Sequence, residues 1–210
     1  MNKAIRWRII SIQAILVVIL ASASGFLFYE GSFVTGMVRD QLVAQRIFFP
    51  GTDQVKAGGA LDPAKFRAEI TQYAGTQVDN ADKARVYAND FIGVHLQGVA
   101  GGKTYSEVSA AASAASAQLA KTDKSDPSYA TLQAQVATLS GQKTTLFMGE
   151  TLRGNLLNAW GWGTMGLYTT YVGIGLMLAS LGVLGALVFE LVIAGRREPL
   201  KVKVAQTATA

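Results

Sequence analysis

The chain has 210 residues, half of them hydrophobic and 16% charged, with a formal net charge of +5 and a mean hydropathy of +0.27. One histidine and no cysteine exclude disulfides, thiolate metal sites, cysteine catalysis and a multi-histidine metal site within a single copy. The hydropathy excludes a disordered or nucleic-acid-coating chain, and the length allows one modest domain or a small domain with membrane segments.

Ile9 to Tyr29 is an uncharged run of 21 residues. At about 1.5 Å rise per residue a helix of that length crosses a bilayer core of roughly 30 Å. Lys3, Arg6 and Arg8 before it, with Ala21-Ser22-Ala23 inside it, also fit a signal peptide. The apolar run continues through Gly25-Phe26-Leu27-Phe28-Tyr29, which favours an uncleaved anchor. Helical spacing persists through Phe33, Met37, Val38, Leu42, Val43 and Ile47 to Phe49, where Pro50-Gly51 stops it.

Asp62-Pro63 reads as an N-cap and first turn of a helix with an apolar face of Phe66, Ile70, Tyr73 and Ala74, ended by Gly75. Asp79 or Asn80 opens another helix, running to about Val99, with Ala84, Ala88, Phe91 and His95 on one stripe; Gly98, Gly101 and Gly102 punctuate its end. Thr104 to Glu107 fits a capping box before an Ala/Ser tract. Asp126-Pro127 starts a helix carrying Tyr129, Leu132, Val136 and Leu139, which Gly141 is expected to break. A last helix, Thr144 to Trp160, leads into the second uncharged run, Gly154 to Phe189. No window alternates as a strand would.

The expectation is an all-α membrane protein in which two transmembrane helices flank an extracytoplasmic helical bundle. Its parts are a cytoplasmic N-terminus (1–8), a first span (9–29), an extracytoplasmic helical domain (30–166), a second span (167–193) and a cytoplasmic tail (194–210). Glu30 to Met165 holds 12 basic and 12 acidic residues, so the whole positive excess sits at the two ends. The positive-inside rule then places both termini in the cytoplasm and the intervening domain outside. Trp7, Tyr29, Trp160, Trp162, Tyr168 and Tyr171 form the aromatic belts expected at the interfaces.

Gly175, Ala179, Gly182 and Ala186 line one face of the second span, and Ala14, Ala21 and Gly25 offer a similar pattern in the first. Small residues permit close helix approach, either between these two spans or against a larger integral membrane partner or a second copy. Neither span carries a midplane charge for transport; Glu190, at the far edge, can snorkel toward Arg196 and Arg197. Asp79 and Asp82 suit a helix N-terminus better than a cation site. Gly102-Lys103-Thr104 lacks the earlier glycine of a phosphate loop, which would stand at Gln97. His95 has no companion at ligand spacing and reads as structural.

Gln77-Val78 with Ala81 and Ala84, Tyr87 to Ile92, His95-Leu96, Gly102 to Val108 and Leu146 to Gly154 resemble a family of bacterial two-span membrane proteins without a settled function. The resemblance covers about half of the chain and implies the topology and helical fold, with no catalytic residue. Some such proteins are labelled aromatic ring-opening dioxygenases. That chemistry wants two histidines and a carboxylate on iron, and this chain has one histidine.

The expected role is a non-catalytic accessory or stabilising subunit of a larger membrane complex, contacting lipids but no nucleic acid, with no cofactor. Two alternatives stay open. A ligand-binding or sensor domain would form a concave pocket among Phe66, Tyr73, Phe91 and Phe147; an enzyme would bring Glu150, Asp90 and His95 together. A homo-oligomeric channel is a remote third.

Overall fold

The computed structural model describes residues 3–194. Among them regular structure is helical, apart from one antiparallel bridge between Phe48 and Gln77. The helices are α1 (Lys3–Gln45), α2 (Ala68–Thr71), α3 (Ala81–Val86), α4 (Gly93–Val99), α5 (Tyr105–Lys121) and α6 (Tyr129–Phe189). A π-helical segment, Tyr87–Ile92, joins α3 to α4, and a second, Glu190–Ala194, succeeds α6. Two helices are long and apolar enough to cross a membrane, and 11% of the most apolar window in each is buried. The chain divides into an apolar unit, residues 1–32 with 167–210, and a polar unit, residues 33–166.

In the apolar unit α1 and α6 pack antiparallel. Arg6 meets Glu190, Val17 meets Ser180 and Ser24 meets Gly173, so numbers rise along one helix as they fall along the other. The contact face of α6 repeats at helical spacing through Gly173, Leu176, Met177, Ser180, Val183 and Leu187. On α1 it runs through Ile10, Gln13, Val17, Leu20, Ser24 and Leu27.

In the polar unit α1 ends at Gln45, four residues before the expected stop at Phe49. Arg46 turns into the left-handed region (φ 51°), and 47–50 then run extended. Val78 N–H donates to Ile47 C=O (2.9 Å), Phe49 N–H to Thr76 C=O (2.9 Å) and Gly75 N–H to Pro50 C=O (2.9 Å). Pro50 disfavours helical backbone at Phe49, and this ladder satisfies the groups that the lost helical turn would have paired.

The helix expected from Asp62 reduces to the single turn of α2. The Asp62 carboxylate accepts from Gly58 N–H (2.9 Å) and Ala64 N–H (3.0 Å), closing a local turn that competes with a helix. The expected apolar face is still turned inward: Phe66 and Ile70 are buried and Tyr73 half-buried.

Asn80 caps α3, accepting from Lys83 N–H (3.0 Å), and the helical path reaches Val99 as expected. The π segment inserts an extra residue per turn and so rotates α4 about its axis. Ala88, Ile92 and Leu96 therefore take the buried stripe, and His95 stands exposed. Gly101 and Gly102 have φ of 64° and 81°, the left-handed geometry a helix stop requires.

The capping box at Thr104 forms as expected: Glu107 N–H donates to Thr104 Oγ1 (3.3 Å), and Thr104 N–H to Glu107 Oε2 (2.7 Å). Thr104→Ala is expected to cost about 1 kcal/mol in a thermal melt of the full chain. Backbone and hydroxyl donors hold Glu107, Asp62, Asp123 and Asp126 below their ordinary carboxylate values of 4.5 and 3.8. Folded values below unfolded ones stabilise the fold above the unfolded pKa. The melting temperature should thus hold level from pH 7 to about 4.5 and decline as pH falls through the lowered folded values, with a smaller decline in Thr104→Ala.

Gly141 does not break α6, and no separate helix begins at Thr144; one helix of 61 residues runs through both. A single interior glycine costs about 1 kcal/mol, less than the packing of the flanking turns supplies. The core of the polar unit gathers Leu42, Phe49, Leu61, Ile70, Val78, Val86, Val108, Leu146 and Leu156.

Candidate functional site

Six rings run in continuous contact through the polar unit: Tyr73 on Phe49 (5.5 Å), Phe49 on Tyr87 (5.1 Å), Tyr87 on Phe91 (4.9 Å), then Phe91 on both Phe66 (6.1 Å) and His95 (4.4 Å). Phe66, Tyr73, Phe91 and Phe147 are the rings that a ligand-binding or sensor domain would use to line a pocket. Three of these rings pack within this cluster, and the fourth rests on Tyr105 (5.8 Å). Burial in the cluster pushes the Tyr87 hydroxyl pKa up.

Glu150, Asp90 and His95 are not joined. His95 Nδ1 donates to Phe91 C=O (2.8 Å), and Glu150 Oε2 accepts from Arg153 Nη1 (3.3 Å). Arg153 Nη2 donates to Asn89 Oδ1 (3.1 Å), tying α6 to the π segment. Glu69 pairs with Arg85 and raises the Arg85 pKa. Among the described residues no three His, Asp or Glu side chains cluster as metal ligands.

The small-residue positions separate into two sets. Ala14 and Ala21 are half-buried, whereas Gly25, Gly175, Ala179, Gly182 and Ala186 are exposed. A Cβ built on Gly25, Gly175 or Gly182 meets nothing within 4 Å. The close approach inside the chain lies instead at Gly173, where a Cβ would come 3.4 Å from Leu27 Cβ and 3.5 Å from Ser24 C=O. The fully buried Ser24 hydroxyl donates to Gly173 C=O (2.8 Å), and Ser180 to Val17 C=O (3.3 Å). Neither serine belongs to the small-residue pattern that the sequence suggests for packing, although a hydroxyl within an apolar run is itself a signal for a helix–helix contact. Glu190 engages Arg6, whose guanidinium donates to its carbonyl (2.6 Å) with the carboxylate 3.6 Å away. The expected partners Arg196 and Arg197 lie outside the described residues. Trp7, Tyr29, Trp160, Trp162, Tyr168 and Tyr171 are all exposed.

A groove of about 520 Å³ lies within the polar unit between the end of α1 and the middle of α6. Val38, Leu42, Leu156 and Ala159 form its apolar floor, and Gln41, Gln45, Asn155, Asn158 and Trp162 stand around it. No motif in the sequence announces this site, because its two walls lie more than a hundred residues apart.

Compared with known protein families, curated proteins and solved structures, the chain matches none.

Proposed function

We propose that the chain is a two-span integral membrane protein of a bacterial inner membrane, serving as a non-catalytic accessory or stabilising subunit of a larger membrane complex. Both termini would be cytoplasmic and the polar unit extracytoplasmic. The charge distribution supports that sidedness, and the antiparallel pairing of α1 with α6 supports placing both ends on one side. The resemblance to bacterial two-span proteins points the same way.

One observation carries the subunit reading. The two span-length helices satisfy each other through Gly173, Ser24 and Ser180, which leaves the Gly175–Ala179–Gly182–Ala186 face exposed. In lipid, association is driven by close van der Waals packing, and a face of small residues permits it. Such a face, unused inside the chain, suits a helix of another protein.

The test is mild detergent extraction of the tagged full chain and then mass spectrometry of co-purifying proteins. A stoichiometric larger integral membrane protein is expected, lost in Ala179→Leu/Gly182→Leu while the chain's own melting temperature stays unchanged. A lone monomer, or a homo-oligomer of this chain alone, overturns the subunit reading.

A further inference from the structure

We propose that the groove between α1 and α6 in the polar unit binds an uncharged sugar ring, held by four carboxamides and stacked on Trp162. The inference is independent of the subunit reading. Its volume falls within the range of roughly 300–1,000 Å³ found for small-ligand sites. Its walls carry Gln41 and Gln45 on α1, and Asn155 and Asn158 on α6. Residues three or four apart on a helix bring their Cβ atoms to about 5–6 Å, so each wall presents two carboxamides as a pair.

The chemistry of that set is specific. Each carboxamide offers two N–H donors and an oxygen acceptor without charge. A sugar ring presents neighbouring hydroxyls that both donate and accept, so one carboxamide can engage two of them. None of the four side chains makes a hydrogen bond to the protein among the described residues, so their donors and acceptors are uncommitted. No Lys, Arg, Asp or Glu lines the groove, which removes the fixed charge that a phosphate, nucleotide or metal ion would need. Trp162 is 55% exposed at the rim and supplies a flat, electron-rich face. The C–H bonds on one side of a pyranose pack against such a face, while its hydroxyls turn to the amides. A peptide strand would also satisfy carboxamides, and the tripeptide-amide control separates it from a sugar.

The sugar can come from a soluble glycan or from a glycolipid headgroup, and the test separates the two. The full chain, purified in a non-glycosidic detergent and placed in phosphatidylcholine nanodiscs, carries Trp7→Phe and Trp160→Phe so that Trp162 is the sole tryptophan, excited selectively over the tyrosines. Maltotriose and cellotriose are titrated as soluble probes; in a second arm the nanodiscs contain monoglucosyl diacylglycerol. A saturable change in Trp162 emission is expected in at least one arm, insensitive to high salt. Gln41→Ala/Asn158→Ala should weaken it about tenfold or more, the equivalent of losing roughly 1.4 kcal/mol. All four amide side chains are exposed, so these variants should keep the parent melting temperature. Response to the soluble probe identifies a free glycan, and response confined to the lipid arm identifies a headgroup. Silence in both arms, an undiminished response in the double variant, or a response to an uncharged tripeptide amide but to neither sugar overturns the proposal.

Discussion

Phe49→Ala is expected to destabilise the polar unit by about 3–5 kcal/mol, the usual cost of deleting a buried aromatic ring. Phe49 is 2% exposed and joins Tyr73 (5.5 Å) to Tyr87 (5.1 Å), the latter edge-on. Its backbone is fixed by the bond from its N–H to Thr76 C=O, so neighbouring side chains cannot collapse readily into the space left behind. Phe48 is the matched control. It is adjacent in sequence but 54% exposed, and Phe48→Ala should cost less than about 0.5 kcal/mol. Thermal melts and protease susceptibility of the full chain in nanodiscs read both; equal losses in the two variants would refute the assignment of Phe49 as the aromatic keystone.

Gly163→Ala is expected to cost about 1–3 kcal/mol, although alanine is the better helix former. A Cβ at Gly163 would overlap Ala81 Cβ, and a methyl group has no rotamer by which to withdraw. The backbone of α3 or α6 would have to move. Ala81→Gly should restore most of the loss in the double variant, because the nearest remaining atom, Ala81 Cα, lies 3.7 Å away. Gly161→Ala, two residues earlier in the same helix with open space around its Cβ, should be neutral or stabilising by up to about 1 kcal/mol. If Gly163→Ala behaves like Gly161→Ala in the same melts, the close approach of α6 to the start of α3 is refuted.

Signals written in neighbouring residues were legible in the sequence. The two apolar runs, the capping box at Thr104, the cap at Asn80 and the stop at Gly101-Gly102 depend on short-range hydrogen bonding or on run length, and the structure contains each of them. Errors arose where a local signal competed with packing. Gly141 looks like a break, yet its intrinsic cost is small against the contacts that flank it. Asp62-Pro63 looks like a helix start, yet the same carboxylate closes a turn instead. The π segment changes the face that His95 presents, and a stripe counted at 3.6 residues per turn cannot register the inserted residue.

The sequence by itself determined the helical character, the two span-length segments and the distribution of charge, because each is a property of consecutive residues. Only the tertiary structure decided which faces meet. It assigned Ser24, Ser180 and Gly173 to the helix–helix contact, left the Gly175–Gly182 face exposed, and assembled the amide-lined groove from residues 37–45 and 155–162. Helical periodicity says that a face exists, but the choice of its partner depends on how α1 and α6 approach across more than a hundred intervening residues, where hydrogen bonds, glycine clearances and ring contacts act together.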